Sequence, residues 1–192
     1  AGVGKSCLAI AAASYLFERR WFPEGCVRVE MGGCSTETEA LAALTEALDM
    51  DLSALSDLTK ALKHWRGLLV LDKCDAARAS NLMPVLLAKL LSTQHMRVVC
   101  TCVLPLNVPG EVLFATKPLE KRDAARLFRE LAMEALPREL RMQESALMNH
   151  PVLESLQCLP RAIWQAAPLL RQGKSMADLQ EELSKTDEPE PA

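Results

Sequence analysis

The chain has 192 residues and a mass of 21.1 kDa, with 49% apolar and 24% charged residues and only 8 Gly and 11 Pro, which excludes a disordered, collagenous or mini-protein chain. Its formal net charge of −3, with no basic run longer than two residues, lacks the electrostatic footprint of nucleic-acid binding. The longest apolar stretch, Cys7 to Phe17, is interrupted by Ser14 and falls short of the roughly 20 residues a bilayer span needs.

The first residues, Ala1-Gly2-Val3-Gly4-Lys5-Ser6, carry no Met and no preceding strand, so the chain reads as a fragment that begins inside a motif. The stretch from Leu8 to Phe17 is apolar nearly all round and predicts a buried helix. Cys26 to Met31 alternates Val27, Val29 and Met31 against Arg28 and Glu30, the period of an edge strand with one face buried. Helices are predicted from Ser35 to Leu48, after cap residues Ser-Thr-Glu, and from Asp57 to Trp65. Gly67 to Asp72 is a continuous apolar run ending in an acid, as a central strand covered on both faces requires. Ala79 to Leu91 reads as a helix, and Arg97 to Val103 and Glu111 to Thr116 as two further strands.

Strands alternating with helices imply βαβ units and a parallel sheet. After Pro118 only helices are predicted: 120–135, 138–148, 151–157, 160–171 and 175–183, the last opened by a capping-box-like Ser175 and Asp178. The fold class is therefore α/β, a three-layer core with a parallel sheet followed by a small all-helical domain. The expected division is 1–116 for the core, 117–184 for the helical domain and 185–192 for a disordered, acidic and Pro-rich tail. The seven scattered cysteines, with no C-x-x-C pair, read as reduced, buried thiols of a cytoplasmic protein. His64, His95 and His150 fit no metal spacing and read as surface or helix-end residues, and the three tryptophans as core packing.

Two motifs carry chemistry. Gly4-Lys5-Ser6 supplies the end of a phosphate-binding loop, whose glycines let successive backbone N–H groups point at phosphate oxygens ahead of a helix N-terminus. Gly2, Val3, Gly4, Lys5, Ser6 and Cys7 are the candidate nucleotide-binding residues, with Lys5 directed to the β- and γ-phosphates and the Ser6 hydroxyl to Mg²⁺. Leu68-Leu69-Val70-Leu71-Asp72 supplies the second motif, an acid at the end of a buried strand that would share Mg²⁺ with Ser6 and serve as the catalytic acid of any hydrolysis. Thr101 or Cys102, on the strand expected beside the phosphates, is a softer candidate contact.

In this order the motifs resemble the nucleotide-binding module of STAND-class P-loop NTPases, the NB-ARC or apoptotic-ATPase family. Ala-Gly-Val-Gly-Lys-Ser resembles its Walker A and Leu-Leu-Val-Leu-Asp-Lys-Cys-Asp at 68–75 its Walker B. Pro109-Gly110-Glu111-Val112 and Pro118-Leu119, with the helix after them, resemble the link into its helical domain, and Cys158-Leu159-Pro160-Arg161-Ala162-Ile163 its Gly-Leu-Pro-Leu-Ala-Ile segment. The resemblance implies an ATP/ADP-binding switch, with nucleotide held between core and helical domain and Pro160 near the base or ribose.

Lys73 stands where many members carry a second acid, Val103 where a γ-phosphate-sensing Arg is usual, and Cys158 where Gly is usual. These departures argue for slow or absent hydrolysis, a weak ATPase at most. The alternatives are an active AAA-like ATPase, in which Asp75 substitutes for the missing acid, and a degenerate interaction scaffold. The winged-helix, sensor and effector domains that accompany the module in the family are the implied partners, together with a nucleotide-dependent oligomer. By the same resemblance a strand feeding the loop belongs between the strands at 97–103 and 111–116. Its absence leaves two unpaired edges, so this piece is expected to be poorly stable or to aggregate.

Overall fold

The computed structural model describes residues 2–92 and 95–186. The expected tail at 185–192 lies almost wholly outside that range. The chain divides into two compact units, one spanning Lys5–Phe114 and the other joining the segment up to Gly4 to the chain from Ala115 onward.

The first unit is α/β. Its elements in order are α1 (Lys5–Glu18), β1 (Cys26–Glu30), α2 (Glu37–Leu48), α3 (Leu55–Ala61), β2 (Leu68–Asp72), α4 (Asp75–Ala79), α5 (Leu82–Leu90) and β3 (Arg97–Cys100). The three strands form a parallel sheet in the order β1-β2-β3, with Glu30 opposite Asp72 and Leu71 opposite Cys100. All five residues of β2 are buried, which is why this strand shows no alternation: both of its faces are covered. On one face Leu68 and Val70 pack with Ala13 of α1. On the other, Leu69 and Leu71 join Val29, Leu44 of α2, Leu58 of α3 and Leu86 of α5 in the main core.

Local chemistry sets the helix starts. Thr36 caps α2, its hydroxyl accepting from the Glu39 N–H while the Glu39 carboxylate accepts from the Thr36 N–H at 2.9 Å, a complete capping box. The predicted helix at 79–91 is α5, which starts only at Leu82 because Asn81 ahead of it has a left-handed φ of 59° that no helix accommodates, and the short α4 before it was not predicted. Pro84 then falls in the first turn of α5, where its missing N–H costs nothing.

Three expectations are corrected. The helix at 8–17 is not buried: Ala13 alone is buried, packed on Leu68 and Val70 with Ala9 and Leu16 beside it, and Leu8, Ile10, Tyr15 and Phe17 are exposed. Glu111 to Thr116 forms no strand, and Val112, Leu113 and Phe114 are 93%, 63% and 80% exposed. A strand needs a paired neighbour, and the outer side of β3, with Val99 40% exposed, pairs with none among the described residues. Finally, Trp21 and Trp164 are exposed rather than core residues, and only Trp65 packs against the main core.

The second unit is helical: α6 (Lys121–Ala132), α7 (Arg138–Met142), α8 (Glu144–Met148), α9 (Pro151–Ser155), α10 (Pro160–Arg171) and α11 (Met176–Thr186). The i, i+3, i+4 apolar stripe of α6 is realised, with Ala124, Phe128 and Ala132 fully buried and Leu127 and Leu131 packed beside them. The reciprocal bonds between Ser175 and Asp178, 2.9 and 3.1 Å, set the start of α11. His150 is a helix-end residue, its Nδ1 accepting from the Val152 N–H ahead of α9.

Candidate functional site

The end of β2 and the start of α1 meet. Asp72 is fully buried, and its two oxygens are divided among three side chains. Oδ1 accepts from the Ser6 hydroxyl at 2.6 Å and from the Thr101 hydroxyl at 2.6 Å. Oδ2 accepts from Arg28 Nε at 3.0 Å and from the Arg28 terminal nitrogen at 2.5 Å. Burial drives the Asp72 carboxyl up, but the Ser6 and Thr101 hydroxyls and the Arg28 guanidinium outweigh it and hold the group below its ordinary value. Asp72 is therefore an ionised carboxylate in a dry position.

The surrounding bonds brace this arrangement. Thr101 donates to Asp72 and accepts from the Lys73 N–H at 2.9 Å, so one buried hydroxyl is satisfied on both sides. Arg28 also reaches Glu30 at 2.6 Å, and Glu30 in turn receives the Gly32 N–H at 3.2 Å and the Lys73 ammonium at 3.4 Å. The parallel register explains the proximity: Cys26, Arg28 and Glu30 share one face of β1, and Leu68, Val70 and Asp72 the matching face of β2, the face that carries α1.

The residues singled out from sequence fall into two groups. Lys5, Ser6 and Asp72 belong to the α/β unit, where Lys5 is half-buried at the head of α1 and Cys7 is exposed on its first turn. Gly2, Val3, Gly4 and Pro160 belong to the helical unit: the Gly2 carbonyl accepts from the Arg161 N–H at 3.2 Å, and a Cβ on Gly4 would lie 3.6 Å from Pro160 Cγ. Gly2 and Gly4 adopt φ of +84° and +92°, which side-chain-bearing residues rarely tolerate.

Thr101 proves to be a direct partner of Asp72, whereas Cys102 turns to the other face and bonds Asp75. Asp75 sits at the first turn of α4, where Oδ1 accepts from the Val103 N–H at 2.8 Å, so this carboxylate ties a loop. Lys73 carries a left-handed φ of 61° and points to Glu30. Cys158 adopts φ of 51°, a left-handed conformation that costs a side-chain-bearing residue roughly 1–2 kcal/mol.

The cysteines are free thiols, but only Cys34 and Cys74 are buried and Cys7 is exposed, which corrects the expectation of uniformly buried thiols. Its hydrogen bond with Cys100, together with burial, pushes the Cys74 thiol far up, so it stays protonated.

Arg28 is the functional neighbour that sequence reasoning missed. Its signal is present, a lone guanidinium within a strand of period 2, but only the register of β1 against β2 aims it at Asp72.

No profile of a known protein family and no curated protein matches this chain. Among the described residues no helix is long and apolar enough to cross a membrane, and no group of three or more His, Cys, Asp or Glu could hold a metal ion.

Proposed function

We propose that this chain is an adenine-nucleotide-binding switch module of the STAND/NB-ARC type, taking ATP or ADP with slow or absent hydrolysis. The observation that carries the reading is the 2.6 Å bond between Ser6 and Asp72, residues 66 positions apart. It joins the first turn of a helix that begins at Lys5, directly after Gly-Val-Gly, to the acid at the end of a buried strand, the pairing that a phosphate loop and its acidic partner require.

In this reading the free N–H groups and positive dipole end of α1 attract the phosphates, and Lys5 neutralises their charge. Each nucleotide shifts the switch only by the difference in its affinity for the two states, so ATP and ADP favour different states where those differences are unequal. The slow turnover rests on the tethering of both nearby charged candidates: Asp75 is held by the Val103 N–H and Lys73 by Glu30, so neither is placed as a base for water.

Mg²⁺ is the cofactor the family implies. Ser6 and Asp72 bring together a hydroxyl and a carboxylate, oxygen ligands of the right class. The donor set nevertheless does not fit Mg²⁺ as it stands, because every acceptor position of Asp72 is taken by protein donors.

Thermal unfolding of the full chain with and without nucleotide tests the proposal. ADP at about 100 times its Kd is expected to add about 2.7 kcal/mol of stability, and Lys5→Ala to abolish the shift while melting at the same temperature without nucleotide. A folded wild-type chain whose melting neither ATP nor ADP moves would refute it.

A further inference from the structure

An ionised carboxylate offers about four acceptor positions, and all four of Asp72 are filled: Ser6 and Thr101 on Oδ1, and two nitrogens of Arg28 on Oδ2. Two of those four bonds come from one guanidinium, which is always charged and holds a planar fork geometry. The terminal nitrogen that bonds Asp72 also donates to Glu30, itself fixed by the Gly32 N–H and Lys73. Asp72 is fully buried while the Arg28 side chain is 42% exposed, so one end of the guanidinium seals the carboxylate and the other faces solvent. A hydrated Mg²⁺ ion, which sheds its water reluctantly, would have to reach Asp72 through a bound water and would find no lone pair open. It would also approach a fixed positive charge.

From this closed arrangement we propose that Arg28 is the resident cation of the site and makes nucleotide binding nearly independent of Mg²⁺. Arg28 is a specificity-determining residue under this proposal: it supplies at Asp72 the positive charge that a metal would otherwise bring. The inference rests on the nucleotide-binding reading above and extends it to how the site treats the metal.

Fluorescent ADP titrated into the full chain in excess Mg²⁺ and in excess EDTA measures the coupling between metal and nucleotide. The wild-type Kd is expected to change by less than about threefold between the two conditions, whereas Arg28→Gln, which keeps an amide donor and loses the charge, is expected to bind at least about tenfold tighter with Mg²⁺. A wild-type chain that loses about tenfold or more in EDTA, or an Arg28→Gln variant with the wild-type ratio, overturns the proposal while leaving nucleotide binding intact.

If Arg28→Gln does not fold, paramagnetic resonance of Mn²⁺ with the wild-type ADP complex decides the matter: a Mn²⁺ ion held by the protein overturns the proposal, and Mn²⁺ behaving as with ADP alone supports it. Absence of ADP binding in Mg²⁺ and in EDTA alike defeats the nucleotide reading itself, and the role of Arg28 falls with it.

Discussion

Thr101 shows how much one hydroxyl can hold together. It donates to Asp72 and accepts from the Lys73 backbone, linking the ends of two neighbouring strands at a position only 5% exposed. Thr101→Val keeps the shape and removes both bonds, leaving the Lys73 N–H without that acceptor and Asp72 short of a donor. The expected cost is about 1–3 kcal/mol, read from urea midpoints at neutral pH; a loss well below that range would mean that water replaces the hydroxyl. At this scale Ser6, Asp72 and Thr101 were legible in sequence because their residue types and motif positions are tied to a known chemistry. Arg28 was not, because an arginine in a half-exposed strand usually lies against solvent and nothing local names its partner.

Among the elements, α2 carries the clearest local signal. The Ser35 and Thr36 backbone N–H groups, with the Thr36 and Ser35 hydroxyls, hold the Glu39 carboxylate down from 4.5 to about 2. A carboxylate whose pKa is lower in the folded than in the unfolded chain stabilises the fold above the unfolded pKa, and loses that contribution as the pH falls through the folded one. The stability difference between wild type and Glu39→Gln is therefore expected to be present at neutral pH and to shrink between 4.5 and about 2, measured as urea midpoints across that window. Parallel profiles would count against the capping role. Such caps are local, which is why the starts of α2 and α11 could be read from Thr36, Ser175 and their acidic partners. α1 and the 111–116 segment could not be read this way, since their apolar residues report a capacity for burial and not the neighbour that would supply it.

For the whole molecule, each unit has its own core, one centred on Leu44, Leu58, Leu71 and Leu86 and the other on Phe128, Leu147, Val152 and Ile163. The chain passes from one to the other through a stretch without regular structure, in which Leu113 and Phe114 are exposed. Exposed apolar residues in irregular backbone are the first sites to admit a protease. Brief digestion with chymotrypsin is expected to cut first after Leu113 or Phe114, with the products assigned by mass spectrometry. First cuts inside α6 or α10 would show that this stretch is protected.

By itself the sequence determined the α/β class of the first unit, the central place of Leu68 to Asp72, the helical character beyond Pro118, and the pairing of a Gly-Val-Gly-Lys-Ser start with a strand-end acid. These properties rest on periodicity, caps and residue chemistry, all of which act over a few neighbouring positions. The tertiary structure decided which cation meets Asp72, that Leu8, Ile10, Tyr15 and Phe17 of α1 stay exposed, and that Val112 to Phe114 stay out of the sheet. Those outcomes depend on strand register and on the presence of a hydrogen-bonding neighbour, quantities set between segments dozens of residues apart, which no local pattern encodes.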